Sequence, residues 1–87
     1  MLRITSTDGG NHHVLLRLEG RVAGPWVFEL LKACEEVLGK GQTLELNLAE
    51  VTFLDHAGVA LLTGCRARGV ELSRCSPFVA EQLKGEC

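Results

Sequence analysis

Two residues could carry chemistry in the stretch VTFLDHAGVALL, residues 51–62, where Asp55 and His56 stand between an apolar strand-like run and an apolar helix-like run. A catalytic nucleophile would need a Ser, Cys or Thr side chain beside an activating base. Cys65 lies two to three helical turns after His56, which is a poor geometry for such a pair. We therefore expect no enzyme activity, and we expect Cys65 to serve as a small buried apolar side chain.

Phosphate-binding and metal-binding patterns are missing from the sequence. The segments GRVAG and GKGQT lack the glycine spacing and the Lys-Ser/Thr pair of phosphate loops. His12 and His13 have no cysteine near them in sequence, and the four cysteines are widely and irregularly spaced. We expect no cofactor, no metal and reduced thiols, while an enzyme or nucleotide-binding domain that uses Asp55 and His56 stays open as an alternative.

Asp55 also has a structural role that requires no catalysis. A carboxylate just before a helix accepts hydrogen bonds from the free amides of the first turn and interacts favourably with the helix dipole. The sequence predicts such a helix over residues 57–67. We therefore expect Asp55 to cap it.

Length and charge restrict the class of protein. The chain has 87 residues and a formal net charge of -2, so we expect one domain over residues 1–87 and no nucleic-acid partner. The N-terminus has no signal-peptide pattern, and the apolar runs are too short to cross a bilayer. These features predict a cytoplasmic protein without membrane insertion.

Hydrophobic periodicity predicts the first three elements. Leu2 and Ile4 indicate a short first strand, and a turn over residues 7–11 leads to a second strand with alternating apolar residues from Val14. Pro25 then begins a helix that extends to Leu38 and is closed by glycines. The two strands are expected to form a hairpin.

The second half alternates strand and helix patterns. Leu44, Leu46 and Leu48 alternate with polar residues in a third strand, which precedes the helix over residues 57–67. A short fourth strand follows, and Ser76 is expected to cap a last helix. The order is β-β-α-β-α-β-α.

This order predicts an α/β fold with a four-stranded mixed sheet. Right-handed crossovers that return over the same face give the strand order 1-2-3-4, with strand 1 antiparallel to the others. Because the strands alternate in a one-faced way, we expect the helices mainly on one face. The uncovered face is expected to bear polar side chains, namely Arg17, Glu19, Glu45, Asn47 and Glu71.

A helical wheel predicts the orientation of the second helix. Its inner side is expected to carry small and apolar residues, namely Ala57, Leu61, Gly64 and Cys65. Its outer side is expected to carry Val59, Thr63 and Arg66, with Leu62 on the flank. An outward Val59 near the helix start would be a contact point for a partner.

The topology, together with LELNLAEVTFLDHAGVALL, resembles the STAS domain of sulphate transporters and anti-sigma factor antagonists. The most specific part is the motif apolar-Asp-x-x-Gly-apolar over residues 54–59, and LEGRVAG and GVELSRCSP also fit. The resemblance spans nearly the whole chain. It implies a non-catalytic interaction module, whose antagonist members bind a serine-kinase anti-sigma factor.

The sequence departs from this family immediately after Asp55. In the antagonists, a Ser or Thr just after the Asp is phosphorylated and this switches binding off, whereas here the two positions are His56 and Ala57. Neither side chain has a hydroxyl group. We therefore expect no Ser/Thr phospho-switch at this helix start.

The resemblance implies a partner protein docked on the start and outer face of the second helix. The expected partner is an anti-sigma factor or serine-kinase-like regulator; alternatives are a subunit of a lipid-transport ABC complex, with its ATPase as partner, or a nucleotide-binding STAS domain. Homo-oligomer formation is left open. The expected partner-binding residues are Asp55, His56, Ala57, Gly58, Val59, Leu62 and Arg66.

Overall fold

A computed structural model describes residues 2–83 of the chain. These residues form four strands and three helices in the predicted order. Their bounds are β1 Leu2–Gly10, β2 His13–Val22, α1 Pro25–Gly39, β3 Thr43–Leu54, α2 His56–Ala67, β4 Glu71–Ser73 and α3 Pro77–Gln82.

The sheet has the predicted topology. Its strand order is β1-β2-β3-β4, with β1 antiparallel to β2 and the pairs β2/β3 and β3/β4 parallel. Each helix follows the carboxyl end of a parallel strand, so the three helix starts gather at one edge of the sheet. This arrangement brings the start of α2 beside the start of α1.

The hairpin turn is shorter than predicted. We expected a turn over residues 7–11, but β1 continues to Gly10, which pairs with His13. The turn consists of Asn11 and His12, both with positive φ (51° and 62°), as in a type I′ turn. This backbone twist matches that of the flanking strands, so the strands extend up to the turn.

Two irregularities change the periodicity of β3. Buried leucines recur every second residue up to Leu48, after which the buried residues are Val51 and Leu54, three positions apart. The register with β2 shifts twice, between Asn47 and Glu50 and between Val51 and Phe53. At each shift β3 contributes one extra residue, as in β-bulges. The Asn47 Oδ1 atom accepts a hydrogen bond from the Ala49 amide at 3.0 Å and supports the first bulge.

The core lies between one face of the sheet and the helices. Its fully buried members come from both layers, and include Leu18 and Leu46 of the sheet with Leu30 and Leu62 of the helices. The residues predicted for the uncovered face are all outside this core, being exposed or half-buried. The prediction of helices mainly on one face is confirmed.

The cysteines are in two states. Cys34 and Cys65 are buried free thiols, as expected. Cys75 is disulfide-bonded, so the expectation of reduced thiols is wrong for this residue. Cys87 lies outside the described residues.

No helix within residues 2–83 is long and apolar enough to cross a bilayer.

Candidate functional site

Asp55 connects the starts of two helices. As the N-cap of α2, it accepts a hydrogen bond from the Gly58 amide through Oδ1 at 2.7 Å. Its other oxygen, Oδ2, accepts a hydrogen bond from the amide of Gly24, the N-cap residue of α1, at 2.9 Å. The predicted cap is therefore present, and the same carboxylate also holds the start of α1 in place.

These two amide donors affect the ionisation of Asp55. Hydrogen bonds from the Gly24 and Gly58 amides lower the pKa of the Asp55 carboxyl below its ordinary value. Amide donors stabilise the ionised form because they direct positive dipole ends at the oxygens. The carboxylate thus stays charged while it bridges the helix starts.

Gly58 is buried against the sheet and does not face a partner. A Cβ atom added at Gly58 would lie well inside contact distance of the Val22 carbonyl oxygen. The same carbonyl accepts a hydrogen bond from the Asp55 amide at 3.3 Å. Gly58 is among the residues expected to bind a partner, but the element that approaches it closely is β2.

The predicted orientation of α2 is also wrong. The buried residues of α2 are Gly58, Leu62 and Cys65, which rotates the helix by about one residue position from the prediction. Leu62 is 0% exposed and belongs to the core, so it cannot supply a partner contact. Val59 and Leu61 are both half-buried and pack against the core.

The exposed face of α2 is small-residue-rich in its middle and has larger polar side chains at both ends. His56 and Ala57 are exposed at its start, while Ala60 and Gly64 continue the exposed surface along the helix. Arg66 is exposed near the end of the same helix. Of the residues predicted to bind a partner, His56, Ala57 and Arg66 are therefore accessible, and Asp55 is half-buried.

The aromatic residues were missed by the sequence analysis. The chain has four, namely Trp26, Phe28, Phe53 and Phe78, and the structure places each of them at least partly in solvent, with exposures from 36% to 61%. Trp26 and Phe28 lie in the first turns of α1, close in sequence to the Gly24 amide that Asp55 binds. A signal was present in the sequence. The residues of this helix that recur at helical spacing are Val27, Leu30, Leu31, Cys34 and Leu38, and they include neither Trp26 nor Phe28.

Metal ions and phosphate groups require different arrangements of ligand atoms. Within residues 2–83, no group of three His, Cys, Asp or Glu side chains is arranged to hold a metal ion. Helix starts are common anion sites because their amides point outward. Here the Asp55 carboxylate accepts one amide at each of the two helix starts, and its negative charge would repel a phosphate.

The fold is similar to that of a known protein of solved structure. No family model and no curated protein matches the sequence, whereas the search of solved structures identifies a STAS-type fold. The structure is similar to that of the anti-sigma factor antagonist SpoIIAA in its unphosphorylated form, with a TM-score of 0.74 and 20% sequence identity. The match covers 94% of this chain and 78% of SpoIIAA, and it confirms the fold that the motifs indicated.

Proposed function

We propose that this protein is a cytoplasmic, non-catalytic interaction module that binds a regulatory protein through the start and exposed face of α2. The main support is the surface at the start of this helix. Asp55 ties α2 to α1, and His56 and Ala57 are presented to solvent beside it. A surface held in one geometry before binding loses little conformational entropy when a partner docks.

The fold supports the class of partner. The solved relative is named an anti-sigma factor antagonist, and we infer that this chain likewise binds an anti-sigma factor or a similar regulator. Exposed aromatic side chains are frequent anchors in protein interfaces. Trp26 and Phe28 lie in the first turn of α1, whose N-cap residue Gly24 is bound by Asp55. We include them in the proposed surface, with Arg66 near the far end of α2.

The proposed module works without a Ser/Thr phospho-switch at this position. A phosphoryl group added to a hydroxyl introduces negative charge that disrupts a docked surface. His56 and Ala57 cannot be modified in this way because they have no hydroxyl group. Binding would then be constitutive with respect to Ser/Thr phosphorylation at these two positions.

A substitution at Ala57 tests the proposed surface. Ala57→Asp adds one negative charge at an exposed position of the first helical turn, where acidic residues are compatible with the helix dipole. We expect unfolding free energy to change by less than about 0.5 kcal/mol. Partner binding should weaken by about 1 to 3 kcal/mol if the helix start is central to the interface.

The matched control is Ala57→Asn, which adds a side chain of similar size without the charge. Each variant is used for affinity capture from native lysate, and the affinity of each captured protein is then measured by calorimetry after purification. The proposal requires a regulator that binds the wild type and Ala57→Asn more tightly than Ala57→Asp. A partner bound equally by all three proteins places the interface elsewhere, and captured proteins without any regulator contradict the proposed class.

A further inference from the structure

A pair of thiols lies between α1 and α2. Cys34 on α1 is 0% exposed and Cys65 on α2 is 2% exposed, and both are free. Both side chains belong to the same core cluster, and each affects the ionisation of the other. Cysteine is a common small apolar core residue, but apolar packing alone does not require two sulfur atoms from different helices to meet.

A surface ion pair joins the same two helices next to the thiols. Arg68 Nη1 at the C-cap of α2 is bonded to Glu35 Oε1, and Glu35 directly follows Cys34 in α1. A guanidinium near a thiol favours the thiolate, which is the reactive form. The Arg68 amide also donates a hydrogen bond to the Cys65 carbonyl at 3.0 Å, so the ion pair lies next to the backbone of both cysteines.

The two thiols are inequivalent. Hydrogen bonding to Cys65 and burial raise the pKa of Cys34. The pKa of Cys65 is lowered, first by the hydrogen bond with Cys34 and then by the charge of Arg68. These opposite directions favour Cys65 as the thiolate of the pair.

We propose that Cys34 and Cys65 are a redox pair, in which hydrogen peroxide oxidises the two thiols to a disulfide that joins α1 to α2. The Cys65 thiolate sulfur attacks one peroxide oxygen, the O–O bond breaks, and the leaving hydroxide takes a proton to form water. Cys34 sulfur then attacks the resulting sulfenic sulfur of Cys65. The S–O bond breaks, a second water leaves with the Cys34 proton, and the S–S bond forms.

This inference goes beyond partner binding and does not depend on it. The Asp55 carboxylate already links the starts of α1 and α2. The disulfide would link the same helices further along, where Cys34 lies in the third turn of α1 and Cys65 lies near the end of α2. Oxidation would thus restrict movement of α2 relative to α1.

Peptide mapping after peroxide treatment tests the pair. The purified protein is treated with hydrogen peroxide, its remaining thiols are alkylated, and it is digested with trypsin. We expect the peptide over residues 33–40 to become disulfide-linked to the peptide over residues 41–66, and dithiothreitol to reverse the link. The linked protein should also have a higher melting temperature than the reduced protein.

Two controls test whether the disulfide forms because the fold places Cys34 and Cys65 together, and not by non-specific oxidation. In guanidinium the two cysteines are no longer neighbours, so the same peroxide dose should give much less of the linked peptides. In a folded Cys34→Ser variant, oxidation of Cys65 should stop at sulfenic acid, which dimedone traps. The proposal is overturned if the folded protein yields no linked peptides, or if linking is at least as fast after unfolding.

Discussion

At the scale of single residues, Asp55 and Gly58 determine how α2 begins. Asp55 accepts the amides of Gly24 and Gly58 on different oxygens, and Gly58 lies against the Val22 carbonyl. The spacing Asp-x-x-Gly therefore serves the cap and the close packing at once. The family-like motif has a structural explanation that does not depend on a partner.

We predict that Asp55 stabilises the protein in a pH-dependent way. Because its pKa is lowered in the folded state, its contribution is fully present above its unfolded pKa of about 3.9. It is lost as the pH falls through the lower folded value. Asp55→Asn should therefore reduce the urea midpoint at pH 7, and its difference from the wild type should shrink with acidification.

The control for this pH series is Glu50→Gln, which removes one negative charge from an exposed residue of the neighbouring strand. The urea midpoints of the wild type and Asp55→Asn are compared from pH 7 to acidic pH. If the difference between them stays constant, the lowered pKa of Asp55 contributes nothing to folding.

Replacing either of two α2 glycines with alanine should change the stability of the protein, but in opposite directions. Gly58→Ala places a methyl group against the Val22 carbonyl and should destabilise the protein by about 1 to 3 kcal/mol. In Gly64→Ala the new methyl group meets no atom within 4 Å, so the helix should gain about 0.5 to 1 kcal/mol. Urea unfolding measures both changes. Equal effects of the two substitutions would refute the close packing of Gly58.

At the scale of elements, the sequence predicted where α2 lies but not how it is rotated. The predicted inner side included Ala57 and Gly64, whereas the observed inner side is centred on Gly58, Leu62 and Cys65. A glycine contributes almost no hydrophobic signal to a helical wheel. Its lack of a side chain nevertheless lets the helix backbone approach β2 at Gly58, and this contact decides the rotation.

The hairpin provides a prediction about one element. His12 has φ of 62°, a conformation that costs most residues about 1 to 2 kcal/mol and is freely available to glycine. His12→Gly completes the Asn-Gly turn and should stabilise the protein by roughly 1 kcal/mol. Thermal unfolding of the variant measures the change.

The same substitution one position later is the matched control. His13 lies in β2, where its ring nitrogens are within 2.8 Å of Thr43 Oγ1 and 3.3 Å of Glu45 Oε1. His13→Gly removes these contacts and weakens a strand, so it should lower stability. A stabilising His13→Gly or a destabilising His12→Gly would contradict the assigned turn.

At the scale of the whole molecule, the one-sided arrangement of helices separates two kinds of sheet residue. Leu16 is 3% exposed and faces the helices. Its neighbour Arg17 faces the other side, where its side chain is 52% exposed and lies 3.5 Å from Glu19. Adjacent residues of one strand therefore have very different surroundings.

We predict a correspondingly large difference in stability between two neighbouring substitutions. Leu16→Ala should lower the free energy of unfolding by about 2 to 5 kcal/mol, because it leaves a cavity. Arg17→Ala should change it by less than about 0.5 kcal/mol, because exposed ion pairs contribute little. Chemical denaturation measures both values. A loss of several kcal/mol for Arg17→Ala would mean that the polar face is covered.

Local patterns in the sequence determined the order of elements, the strand order and the caps at Asp55 and Ser76. Apolar residues alternate from Val14 to Leu18 and from Leu44 to Leu48, and this alternation indicates that one face of each strand is buried. Cap residues bind amides only a few positions away in sequence. Crossover handedness then leaves one arrangement of the strands. These features depend on neighbours in sequence or on general chirality.

Only the tertiary structure decided the rotation of α2, the bulges of β3 and the accessible part of the candidate site. Each depends on contacts between residues distant in sequence: Gly58 with Val22, β3 with β2, and Asp55 with Gly24. A one-residue change in register or rotation exchanges buried and exposed side chains. For this reason Leu62 belongs to the core, whereas His56 and Ala57 remain at the surface.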